Sequence, residues 1–98
     1  MVRHAVLGEL TPEKWLVLRM VFVESDMAPE GYFSAADIVR PLNLTGLTEQ
    51  VVRGLFAILI EHEWMAPPVE AEVRGQQTRM YRLTPLGYER VRALLATA

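Results

Sequence analysis

The sequence predicts a mainly α domain that carries one small β hairpin. Three observations lead there. Hydroxyl residues at Thr11, Ser34 and Thr84 each stand where a helix N-cap is wanted, and two of them precede proline. Residues 69–73 and 79–83 alternate apolar and polar side chains on either side of a glycine-containing stretch, the period of two half-exposed strands. The chain has 98 residues, of which 51% are hydrophobic and 22% charged, enough for a single core.

The elements follow in order. Residues 1–10 read as an N-terminal arm or extension, with helix and strand both open because Gly8 interrupts Val2, Ala5, Val6 and Leu7. Residues 11–98 form the domain proper. Thr11-Pro12-Glu13 opens a helix that is apolar around most of its circumference, from Trp15 through Val23, and should run to about Ser25. Pro29 and Gly31 mark a loop, and Tyr32-Phe33 a β-prone stub. Ser34 lies three residues before Asp37, a variant of the capping box; Pro41 then limits the second helix to Ala35 through Val39 or Arg40. Residues 42–46 should turn, and Leu47-Thr48 should open a third helix reaching about Glu63. Arg74-Gly75-Gln76-Gln77-Thr78 reads as the hairpin turn, and Thr84-Pro85 opens a last helix with Tyr88, Val91, Leu94 and Leu95 on one face. Helix, stub strand, short helix, turn, helix, hairpin, helix is the order of a winged helix-turn-helix domain: a three-helix core, a β wing and a C-terminal helix.

Composition narrows the function classes. No cysteine is present, which excludes disulfides and thiolate metal sites. Apolar runs are too short to span a bilayer and the N-terminus has no secretory h-region, so a cytoplasmic protein without a membrane partner is expected. Nine of the ten basic residues are arginine, a bias that hints at a GC-rich bacterial genome. Net charge is −2 but unevenly spread: residues 1–72 carry five basic groups against eleven acids, whereas residues 73–98 carry five arginines against Glu89 alone. An anionic partner should meet the C-terminal quarter. There is no catalytic constellation, no phosphate-cradling glycine loop and no metal-ligand spacing; Glu61, His62 and Glu63 alternate faces. A non-enzyme without metal or cofactor is expected.

Two segments carry a family resemblance. Residues 10–18, Leu-Thr-Pro-Glu-Lys-Trp-Leu-Val-Leu, resemble the opening of the winged-helix core in MarR-type regulators. Tyr81-Arg82-Leu83-Thr84-Pro85-Leu86-Gly87 is similar to the end of the wing in MarR- and PadR-type regulators. Leu59 followed by Trp64-Met65 resembles the junction of recognition helix and wing, although Glu63 stands where those families often have glycine. The resemblance covers residues 10–90 and implies a DNA-binding core. The long flanking helices that build a MarR dimer and its ligand pocket, and the longer C-terminal helical region of PadR proteins, have no counterpart in this length of chain.

On the third helix, Glu49, Gln50, Arg53, Gly54, Ala57 and Glu61 share one sector at 100° per residue, opposite Val51, Leu55, Ile58 and Leu59. If this helix enters a major groove, Thr45, Thr48, Glu49, Gln50 and Arg53 are the candidate readers: arginine forks onto guanine, glutamine onto adenine, and glutamate accepts from cytosine. Arg74, Gln76, Gln77 and Arg79 at the wing should meet phosphate or the minor groove. His62 is expected as a partly buried packing residue, and Trp15, Trp64 and Tyr81 as packing residues. The leading expectation is a sequence-specific regulator of double-stranded DNA acting as a homodimer through residues 1–10 and the last helix. The alternative is a winged helix used as a protein-interaction module, favoured by the acidic N-terminal part. An effector pocket would fit only at a dimer interface.

Overall fold

A computed structural model of the chain describes residues 3–97, with the main chain alone at 43–45. Among the described residues there are four α-helices and two small antiparallel hairpins. The segment for which the sequence leaves arm, helix and strand open is a hairpin, β1 (Arg3–His4) against β2 (Gly8–Glu9). Its loop is held from within: the His4 Nδ1 accepts from the Val6 amide at 3.0 Å, and Lys14 Nζ donates to the Leu7 carbonyl at 2.7 Å. Leu7 and Leu10 are buried in the same cluster as the helices.

Helix α1 (Pro12–Met27) starts as its sequence dictates, with the Thr11 hydroxyl accepting from the Lys14 amide, and runs two residues beyond Ser25. It buries Val17, Leu18 and Val21 and packs against α4 (Pro85–Ala96) and α2 (Ala35–Val39). A single 3₁₀ turn, Pro29–Gly31, leads to Phe33, which exchanges both main-chain hydrogen bonds with Tyr81 at 2.9 and 2.7 Å. The reciprocal capping box is complete at α2: Ser34 Oγ accepts from the Asp37 amide and Asp37 Oδ2 accepts from the Ser34 amide. The connection to α3 is a 3₁₀ stretch, Arg40–Thr45, closed by Gly46 at φ 81°.

Helix α3 (Glu49–Glu61) is capped by Thr48, whose hydroxyl accepts from the Val51 amide at 3.3 Å. It ends two residues before the expected Glu63. The Trp64 amide bonds to the Leu59 carbonyl at 2.8 Å and the Glu63 amide to the Ile60 carbonyl at 3.0 Å, a Schellman motif with Glu63 at φ 63°. The position where the resembling families often carry glycine is therefore left-handed, and glutamate occupies it under strain. Two expectations for this helix are corrected. Val51 is 55% exposed rather than core, and the centre of the buried face is Val52, Leu55, Phe56 and Leu59. His62 is the exposed C-cap and not a packing residue, because the chain leaves the helix there.

Strands β3 (Val69–Val73) and β4 (Gln76–Met80) pair with Val73 opposite Gln76. The turn is only Arg74-Gly75, both at positive φ (53° and 76°), the type I′ geometry whose twist suits a hairpin. The five-residue turn expected over 74–78 is thus wrong: Gln76, Gln77 and Thr78 are strand residues. The core joins Phe33, Phe56 and Tyr81, with ring centroids 5.8 Å apart for the first pair and 4.7 Å for the second. Thr84 caps α4, accepting from the Gly87 amide at 2.9 Å and donating to the Glu63 carbonyl at 2.6 Å. Trp64 is buried as expected; Trp15 is half-buried.

Candidate functional site

An open cleft of about 550 Å³ lies between the hairpin and the N-terminal ends of α2 and α3. Local chemistry places its walls. The capping box fixes Ser34 to Asp37 on one side, the Thr48 cap aims the first turns of α3 at it, and the Phe33–Tyr81 bridge holds β4 opposite. Glu49, Arg53, Arg74, Gln76, Gln77 and Arg79 all border this space, so six of the nine sequence-derived candidates meet in one place. Thr48 and Gln50 do not line it. Thr48 spends its hydroxyl on the helix cap, which gives that residue a structural task that its sequence position also announces. Gln50 is exposed on α3, and the Thr45 side chain lies outside the described part of the structure.

Arg40 also borders the cleft, although the sequence does not single it out as a candidate. Its one signal is its place at the end of the second helix, obscured by the following proline. With it the cleft presents four arginines, Arg40, Arg53, Arg74 and Arg79, against Asp37 and Glu49.

Two of these arginines are engaged within the chain. Arg53 Nη1 lies 3.2 Å from Glu49 Oε1 one helical turn away, and Arg79 Nε donates to Glu70 Oε1 at 3.3 Å across the β3–β4 pair. The hydrogen bond to Glu70, followed by one to Tyr81, raises the Arg79 pKa above its ordinary value, so the group stays charged at any physiological pH. Both pairs are about half exposed, and solvent-screened pairs of this kind contribute little to stability. They are weak enough to exchange for another anion. Arg40 is a looser case, 3.9 Å from Asp37 and largely exposed. Among the described residues no ion pair is recorded for Arg74, which stands at the tip.

No protein-family model and no curated protein matches this sequence. The geometry therefore carries the functional argument alone. What the cleft can do chemically is bind an anion of some length: its cations sit on three separate elements, and no group of carboxylates and histidines that could hold a metal occurs among the described residues. No helix among them is long and apolar enough to cross a membrane.

Proposed function

We propose that this chain is a winged helix-turn-helix domain that binds double-stranded DNA as a cytoplasmic transcriptional regulator and does so as a homodimer. One observation carries the reading. The exposed N-terminal half of α3 and the arginines of the β3–β4 hairpin border the same open cleft, in the order helix, turn, helix, hairpin. In such a domain α3 enters the major groove and the hairpin reaches the adjacent backbone or minor groove. Arg53 then reads base edges, with Glu49 and Gln50 beside it, and Arg74 and Arg79 neutralise phosphates. Gly54 and Ala57 are exposed on the same face and leave room for a groove wall.

Fluorescence polarisation against random duplex over a salt series, followed by selection of bound duplexes from a random pool, tests this. Arg53→Ala should relax sequence preference. Arg74→Ala and Arg79→Ala should weaken all duplexes alike, each lowering the slope of log K against log salt by about 0.9 for every phosphate it no longer neutralises. Enrichment of a palindrome supports the homodimer. Binding that is unchanged in all three variants refutes the DNA reading.

A second reading has its own observation. Arg53 and Arg79 already hold carboxylates of this chain, the arrangement of a surface that also tolerates protein partners. A protein-interaction module would show no binding to duplex even at low salt.

A further inference from the structure

The hairpin register leaves one edge of β4 open toward the cleft. With a two-residue turn, Val73 and Gln76 exchange main-chain hydrogen bonds, and so do Ala71 with Thr78 and Val69 with Met80. The amides and carbonyls of Gln77 and Arg79 therefore point away from β3. Tyr81 has the same parity, and its amide and carbonyl point to Phe33, which occupies that side. Gln77 and Arg79 thus face the space beyond Phe33, where the chain has turned away into α2 at Ser34. No main-chain partner is recorded for either residue in the described structure.

We propose that this edge is a docking site for an extended acidic peptide segment, which adds a strand to β4 in line with Phe33. Two donors alternating with two acceptors match an extended main chain, whereas the carbonyls would repel a phosphate. The charge of the walls selects the partner: Arg40, Arg53, Arg74 and Arg79 outnumber Asp37, Glu49 and the Glu70 that holds Arg79, and those three pairs are exposed enough to exchange, so acidic side chains are favoured at alternate positions. Val73 and Met80, also on the cleft wall, favour small apolar residues between them. The site stands independently of the DNA reading. Where both hold, peptide and duplex exclude each other, because both use Arg53 and Arg79.

The test uses the whole chain and a fluorescein-labelled, amidated heptapeptide alternating glutamate and valine. Gln77→Pro deletes one outward amide and no β3–β4 hydrogen bond, at an edge position that tolerates proline. Gln77→Ala deletes only the side chain. Saturable binding is expected, weakened at least tenfold by Gln77→Pro and less than twofold by Gln77→Ala. In the unaltered protein, amide exchange at Gln77 and Arg79 should slow when peptide is added, which keeps the test valid if the proline variant unfolds. Equal loss in the two variants, no slowing at those amides, or no saturable binding at millimolar peptide overturns the proposal. Duplex binding measured on the same samples reports on the DNA reading separately.

Discussion

The same substitution at two glycines should act in opposite directions. Gly87 lies in the first turn of α4 directly over the Trp64 peptide. A Cβ there would overlap the Trp64 carbonyl oxygen and lie 2.5 Å from its carbonyl carbon and 2.7 Å from its Cα. The obstacle is main chain, and it is tied down: the Thr84 amide bonds to the Trp64 carbonyl at 2.9 Å and the Thr84 hydroxyl to the Glu63 carbonyl. Gly87→Ala gains about 0.5–1 kcal/mol of helix propensity. Against that stand overpacking of about 1–3 kcal/mol and the loosening of two hydrogen bonds at roughly 1 kcal/mol each. The net is a loss of about 2–4 kcal/mol, or a fall in Tm on the order of 10–20 °C for a domain of this size. Gly54, in mid-α3, has nothing within 4 Å of its added Cβ. Gly54→Ala should raise Tm by about 3–6 °C, from propensity alone. Urea and thermal unfolding followed by tryptophan fluorescence reads both. A Gly87→Ala protein that melts within about 2 °C of the parent would mean that α4 does not rest on the Trp64 turn, and the reasoning fails.

Other expectations follow from single residues. Glu63→Gly relieves a left-handed cost of about 1–2 kcal/mol while adding unfolded-state entropy, so urea unfolding should show a gain of about 0.5–1 kcal/mol; a loss would refute the strain. Thr84→Ala removes the α4 cap and its bond to Glu63, and should cost about 1–2 kcal/mol in the same assay. Tyr88 donates to Asp26 Oδ1 at 2.9 Å, and this hydrogen bond, with desolvation next, raises its pKa above the ordinary 10.0. Raising a folded-state pKa favours the neutral phenol, so the contribution is fully present below pH about 10 and is lost as pH climbs through the folded value. Ultraviolet titration should show a late-ionising component that is absent in Tyr88→Phe and shifted down in Asp26→Asn.

Helix starts are legible in the sequence because they are local. Thr11-Pro12, Ser34 with Asp37, and Thr84-Pro85 each satisfy their own amides, whatever the rest of the chain does. The polar face of α3 is legible, since Glu49, Gln50, Arg53, Gly54, Ala57 and Glu61 are all exposed as their spacing predicts, but the centre of its apolar face is not. Apolar residues at 51, 52, 55, 56, 58, 59 and 60 wrap most of that helix, and only the packing of Phe56 against Phe33 and Tyr81 decides which sector is innermost. The hairpin turn is obscured for a different reason. Arg74-Gly75 lacks the usual Asn or Asp at the first left-handed position, so the polar run after it looks like loop. For the cleft, the sequence shows the arginines and one of their carboxylate neighbours: Glu49 lies one turn from Arg53, which a helical spacing reveals, while Glu70 meets Arg79 only through the strand register.

The Phe33–Tyr81 rung makes the hairpin a cantilever. It is clamped at its root by two short hydrogen bonds and by the Tyr81 ring in the core, and Arg74-Gly75 projects roughly 20 Å beyond that clamp at the usual rise per strand residue. A tilt of about 5° at the root carries the tip through about 2 Å, over such a length. Such a tilt would change the span between Arg53 and Arg74 while the root stays fixed, and the duplex binding proposed above would then tolerate differing groove widths without repacking a core side chain.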